Sequence, residues 1–151
     1  MKTELKPQGC TNLKLRQIMR RVTQLYDAEL AQADLKTTQY SMLTHVVKLG
    51  PVRPVDLAQL MHMSASTLSR NLQPLIASGW VQVEPGADAR SRMIHATPAG
   101  HAKRREAQRK WRLAQEQLNA TLGPERVAAL HALIDASLEL LTQPETNDVE
   151  P

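Results

Sequence analysis

Apolar residues recur at helical spacing through most of the chain and at strand spacing in one place. Between Leu13 and Ala33, the residues Leu15, Ile18, Val22 and Leu25 fall three or four apart, the stripe of one long amphipathic helix. Tyr40, Leu43 and Val47 make the inner face of a second helix, opened by Thr37 or Thr38 as cap and closed by Gly50-Pro51. Pro54 suits a first helical position, so a third segment starts there, with Leu57, Leu60 and Met61 inward. Arg53 precedes it as a poor cap, which predicts a weak start. A tight connection, His62-Met63, leads to Ser64, the cap of a fourth helix that buries Leu68, Leu72, Leu75 and Ile76 at i, i+4, i+7 and i+8. A left-handed backbone is expected at His62, a position that histidine tolerates. Pro74 removes one backbone bond and predicts a kink, or the end of the regular helix. After Gly79 the period drops to two. Trp80 to Glu84 and Arg92 to Thr97 alternate around a turn-rich tip, Pro85 to Ser91, with Val81 and Val83 sharing a side with Ile94 and Ala96. Thr97-Pro98 opens a long helix toward Leu122, anchored by Trp111, Leu118 and Leu122. Gly123-Pro124 restarts a last one along Val127, Leu130, Ile134, Leu138 and Leu141.

Two helices across a short turn, followed by a hairpin, read as a winged helix-turn-helix: a mainly α fold with a small β-hairpin wing. That motif places one helix in a DNA major groove. Three long helices exceed what so small a module needs for cover, which makes them candidate dimerisation arms; the competing reading has them cap a monomer. The expected organisation is an N-terminal arm and helix over 1–34, the winged module over 35–97, linker and C-terminal dimerisation helices over 98–142, and a flexible tail over 143–151.

Candidate chemistry concentrates around the fourth helix. At 100° per residue, the face opposite its buried stripe carries Ser66, Thr67, Arg70 and Gln73, and Ser64 and Ser69 extend the hydroxyl cluster. Hydroxyls, an amide and a guanidinium all match base edges in a groove. The plain alternative is an ordinary solvated face. In the tip, Arg90 and Arg92 are candidates for phosphate and minor-groove contact. Asp88 repels phosphate, and pairing with an arginine to aim it is the expected role.

A net charge of +4 suits a polyanionic partner without proving one. The apolar share of 42% supports a core, filled by aliphatic residues and methionine because phenylalanine is absent. The single cysteine, Cys10, excludes an intrachain disulfide and fits a reducing, cytoplasmic setting. No run of apolar residues is long enough to span a membrane, and the segment starting Met1-Lys2-Thr3-Glu4 lacks the apolar stretch of a signal peptide. The histidines (His45, His62, His95, His101 and His131) form no i, i+3 or i, i+4 pair, so neither a metal nor a cofactor is expected. No phosphate loop, nucleophile elbow or paired-carboxylate pattern is present, which argues against an enzyme.

The run from Thr38-Gln39-Tyr40 through Leu57-Ala58-Gln59-Leu60, Ser66-Thr67-Leu68-Ser69-Arg70 and Gly79-Trp80-Val81 resembles the MarR family of bacterial transcription regulators. Asp88-Ala89-Arg90-Ser91-Arg92 is similar to that family's D-x-R-x-[RK] wing, and Thr97-Pro98-Ala99-Gly100 to the start of its linker helix. His62, Arg53 and Ala96 depart from the pattern. The resemblance covers residues 13 to 141 and implies an obligate homodimer built on the first and last two helices. It also implies a pseudo-palindromic double-stranded operator and, often, release by a small phenolic effector. Arg16, Tyr26, His45 and Trp111 are the candidate effector residues; they equally suit core and surface. Cys10, close to a helix start with Lys6 and Lys14 nearby, offers an oxidation signal instead. An interaction module that uses the winged fold to bind protein is the rival from another class.

Overall fold

A computed structural model of the chain describes residues 6–88 and 90–142. The expected tail, the start of the chain and Ala89 of the wing tip lie outside the described residues. Helix α1 (Thr11–Leu30) passes into a single 3₁₀ turn (Ala31–Ala33), and α2 (Thr37–Leu49), α3 (Pro54–Leu60) and α4 (Ala65–Ala77) follow. Strands β1 (Val81–Pro85) and β2 (Arg92–Ala96) form an antiparallel hairpin, and α5 (Pro98–Leu122) and α6 (Pro124–Thr142) complete the order. The chain divides into two compact units between Ala114 and Gln115.

The core of the first unit gathers Leu30, Met42, Leu43, Val46, Leu57, Leu68, Leu72, Leu75 and Ile94. Burying each such side chain fully contributes about 1.5–3 kcal/mol. The hairpin register sets Val81 opposite Ala96 and Val83 opposite Ile94, so the expected shared side forms. Val52 adds a short bridge to Ile94, donating to it at 2.9 Å and accepting from it at 2.8 Å. A lone valine between Pro51 and Arg53 carries no periodicity to announce that strand-like contact.

Several boundaries differ from the pattern, each for a local reason. The first run is not one helix to Ala33: it tightens after Leu30, and Asp34 takes a left-handed conformation that turns the chain. Lys36, not Thr37 or Thr38, occupies the cap position of α2. Thr37 is drawn away because its amide and hydroxyl both donate to Asp27 Oδ1 of α1, at 2.7 and 2.6 Å. Gln39 Oε1 instead accepts from the Lys36 amide at 2.9 Å. On the short α3, Leu57, Ala58 and Met61 define the inward face, and Leu60 lies outside it at 56% exposed, contrary to expectation. Arg53 does start α3 without a side-chain cap; it reaches forward to Asp56 with two bonds of 2.8 and 3.0 Å. Pro74 does not end α4, which runs on to Ala77 with Ser78 donating to the Pro74 carbonyl at 3.1 Å. Only one bond is lost to the ring, and the turn beyond it is otherwise intact.

Within α5, the buried positions of the first unit are Gly100, Ala107 and Ala114, small residues that an apolar-stripe reading passes over. Trp111 is half-buried and stacks on Tyr40 with ring centroids 6.3 Å apart. In the second unit Val127 is buried, Leu130 is half-buried, and Ile134, Leu138 and Leu141 are exposed. The N-terminal half of α1 likewise leaves Leu13, Leu15, Ile18 and Met19 exposed. No described helix is long and apolar enough to cross a membrane.

Candidate nucleic-acid interface

Ser64 caps α4 as its residue type predicts: Oγ accepts from the Thr67 amide at 3.2 Å. The same oxygen lies 3.1 Å from Ser66 Oγ and donates to Thr67 Oγ1 at 2.9 Å, so the three hydroxyls are joined at the start of the helix. The turn that aims α4 depends on His62, whose backbone sits at φ 52°. Its amide bonds Gln59 O at 3.1 Å and the next, Met63, bonds Ala58 O at 3.0 Å, which closes α3. At the other end, Gly79 adopts φ 74° and lets Trp80 N return to Leu75 O at 3.0 Å.

Burial separates the two faces of α4 cleanly. Leu68, Leu72 and Leu75 are buried, while Ser66, Ser69, Arg70 and Gln73 are exposed and Thr67 is intermediate. A groove of about 570 Å³ opens between α3, α4 and the hairpin. Its wall is mostly apolar, and it brings Ser69 and Gln73 of α4 together with Arg92 of β2. The ion pairs among the described residues join Arg53 to Asp56 and Lys103 to Glu106, and His95 Nε2 lies 3.8 Å from Glu84 Oε1. Arg70, Arg90 and Arg92 belong to none of them and remain exposed.

Asp88 does not pair with an arginine side chain. Its Oδ1 accepts from the backbone amides of Arg90 at 3.0 Å and Ser91 at 2.8 Å, an Asx turn inside the tip. Amides two and three residues on are nearer than a flexible guanidinium, so the local bonds win. The Arg90 amide, then Ser91, hold the Asp88 carboxyl below the usual carboxylate range.

The other candidates are not gathered into one place. A shallow cavity on α1 includes Arg16 with Met19, Arg20, Thr23 and Gln24, but not Tyr26, His45 or Trp111. Tyr26 is buried, which raises its phenol pKa. His45 Nδ1 lies 2.7 Å from Ser41 O of its own helix. Cys10 is exposed at the cap position of α1. No group of three or more His, Cys, Asp or Glu among the described residues is arranged to hold a metal.

A model of the MarR family matches residues 33–91, the stretch from the end of α1 to the wing tip. The transcriptional regulator MosR of M. tuberculosis, solved in complex with DNA, is 31% identical, with a TM-score of 0.73 over 89% of this chain and 100% of that one. The chain belongs to the MarR family. Among curated MarR-family relatives, the multiple antibiotic resistance protein MarR of Salmonella typhimurium is 28% identical over 107 residues, 70% of this chain and 74% of that protein. A MarR mutant from E. coli complexed with operator DNA shares the fold at a TM-score of 0.77 and 22% identity, covering 84% of this chain and 92% of that one. The protein is thus a MarR-family transcription regulator with a winged helix-turn-helix.

Proposed function

We propose that the chain acts as a homodimeric repressor that reads a pseudo-palindromic operator through α4 and the wing. The observation that carries the reading is the pairing state of its cations. Arg53 and Lys103 are engaged within the chain, whereas Arg70 stands exposed on the polar face of α4, Arg92 in the adjoining groove and Arg90 in the wing tip. In this reading Ser64, Ser66, Thr67, Ser69, Arg70 and Gln73 face base edges and backbone, Arg90 and Arg92 take phosphate or the minor groove, and Asp88 shapes the tip. MosR and the E. coli MarR mutant, both solved with DNA, support a DNA partner.

Residues 35–97 form the reading head, and segments 1–34 and 98–142 the dimerisation arms. Supporting this, Leu13, Leu15, Ile18 and Met19 of α1 and Ile134, Leu138 and Leu141 of α6 are exposed on a single chain. The two heads are then held at roughly 34 Å, one helical turn of DNA. A small aromatic acid or phenol that favours another head separation releases the operator. A preference of about 2.7 kcal/mol lowers affinity about a hundredfold. Arg16, Tyr26, His45 and Trp111 stay the effector candidates. Oxidation of Cys10 is the second input, favoured by its exposure at a helix start.

Selection from random DNA tests the reading. The expected product is an inverted repeat whose affinity falls steeply with salt. Failure to enrich any sequence, together with capture of a protein partner, would move the chain to the interaction-module class. On the selected operator, release by peroxide that Cys10→Ser abolishes, with no response to aromatic acids, replaces the ligand input by the redox one.

A further inference from the structure

We propose that Lys103 is a positioning residue for operator recognition, locking the end of the first helical arm to the base of α4. The inference rests on the DNA-reading function above. The Lys103 side chain is only 16% exposed, and its ammonium faces three groups at once. It donates to Ala33 O at 3.3 Å, lies 2.9 Å from Glu106 Oε2, and sits 5.2 Å from the centroid of the Trp80 ring.

Each contact has a reason to hold. Ala33 ends the 3₁₀ turn that closes the α1 run, where terminal carbonyls lack intrahelical partners and carry the negative end of the helix dipole. An ammonium over an indole face is the favoured cation–ring geometry. Glu106, one turn on, offsets the charge and keeps the lysine extended toward the other two.

Trp80 cannot shift without moving the recognition helix. Its amide bonds Leu75 O of the last turn of α4 at 3.0 Å, and its carbonyl accepts from the Thr97 amide at 3.1 Å. Thr97 Oγ1 donates to Gly79 O at 2.6 Å and caps α5 by accepting from Gly100 N at 3.0 Å. Gly100 lies so close to the Trp80 carbonyl that a Cβ there would collide with it. One cation therefore spans the end of α1 and a joint fixed to the end of α4. Lys110 of the same helix also reaches the 3₁₀ turn, donating to Gln32 Oε1 at 2.7 Å, but Lys103 is the cation that faces Trp80 as well, so the link to α4 runs through Lys103.

A dimer gains from two half-sites only if both heads hold the correct separation. Loosening the joint should cost paired binding while sparing a single half-site. The test compares Lys103→Met and Lys103→Arg on the selected operator, on one half-site, and on operators with one base pair inserted or removed. Lys103→Met is expected to remain a folded dimer by circular dichroism and light scattering. It should lose about tenfold on the operator, a fraction of the avidity gain, keep half-site affinity, and discriminate less against wrong spacing. Lys103→Arg should restore both. Equal loss on operator and half-site overturns the proposal in favour of a phosphate contact, and wild-type affinity with wild-type spacing preference overturns it outright. Should the methionine variant not fold, Trp80→Leu, which removes the ring face, must relax the spacing preference in the same direction; an unchanged preference there also overturns it. A wild-type chain that selects no DNA sinks the functional reading itself, whereas wild-type binding matched by Lys103→Met sinks only this inference.

Discussion

Helices α4 and α6 each carry apolar residues at helical spacing, and these meet opposite fates. In α4 the leucines 68, 72 and 75 are buried within the chain, at 5% exposure or less. In α6, leucines 138 and 141 are 53% and 82% exposed, and Ile134 is 41% exposed. Hydrophobic spacing states that a face must be covered; it is silent on whether the cover comes from the same chain. The difference assigns separate energetic roles. One stripe contributes folding energy within the chain; on the function proposed above, the other is the surface for association.

The largest expected effects test that division directly. Leu68→Ala should cost about 2–5 kcal/mol of folding stability, measured by urea unfolding, since a fully buried leucine leaves a cavity. The double change Ile134→Glu with Leu138→Glu should leave helix content nearly intact. Light scattering should then find a monomer at micromolar concentration, with operator affinity down by about a hundredfold or more as paired engagement is lost. If the charged variant stays dimeric, the α6 stripe is not the association surface. If it unfolds as Leu68→Ala does, the two stripes are not different in kind.

Arg70→Ala comes next in size. Arg70 stands on the exposed face of α4 outside every ion pair among the described residues, so its removal should leave unfolding unchanged. Specific binding should weaken by about 1–3 kcal/mol, with relaxed preference at one position per half-site. A uniform loss across all sequences demotes it to a phosphate contact. That outcome would sharpen the comparison differently, leaving Gln73 and the hydroxyls to read bases.

What was legible from the chain follows the range of the interactions. Ser64 as a cap, Leu68 to Ile76 as a stripe, the left-handed turn at His62 and the strand pairing of Val83 with Ile94 all depend on neighbours a few residues away or on period alone. The misplaced cap of α2 is the opposite case. Thr37 has the chemistry of a cap, but Asp27, ten residues earlier, takes both its donors. Leu60 was lost to the shortness of α3, where seven residues barely define a face. Nothing in the sequence singles out Lys103, because its partners Ala33 and Trp80 lie on other elements. The α4 face and wing arginines were nameable in advance; that Ser69 and Gln73 share one groove with Arg92 required the fold.

Asp88 gives a smaller effect, confined to the wing. Because its carboxylate binds amides rather than a guanidinium, Asp88→Asn should keep the Asx turn and most DNA affinity, while Asp88→Ala should weaken binding. Tighter binding by the alanine variant would show that charge repulsion outweighs tip order. The pH dependence has a definite sign. With the Asp88 pKa lowered by the amides of Arg90 and then Ser91, tip order is complete above the unfolded-state value of about 3.9 and is lost as pH falls through the lower folded value. Amide shifts of Arg90 and Ser91 should therefore titrate together below about pH 4. A midpoint at or above the ordinary value would mean that the turn is not formed in solution.

The smallest expected effect is at His62, where the head's aim is set by backbone rather than by burial. At φ 52° an L-residue crowds its own Cβ against the following carbonyl, a cost that glycine escapes and that histidine bears better than most. Glycine also frees the unfolded chain, which cancels part of the gain. His62→Gly should thus change stability by less than about 1 kcal/mol, in the stabilising direction, whereas His62→Val should destabilise by more than that, since a branched Cβ fits this region worst. Thermal unfolding of the two variants measures both signs. Operator affinity supplies the independent check. The His62 side chain is exposed beside the start of α4, so a glycine variant that is as stable as the wild type but binds DNA more weakly would place the imidazole at the phosphate backbone. Equal affinity would leave His62 as a turn residue whose work is conformational.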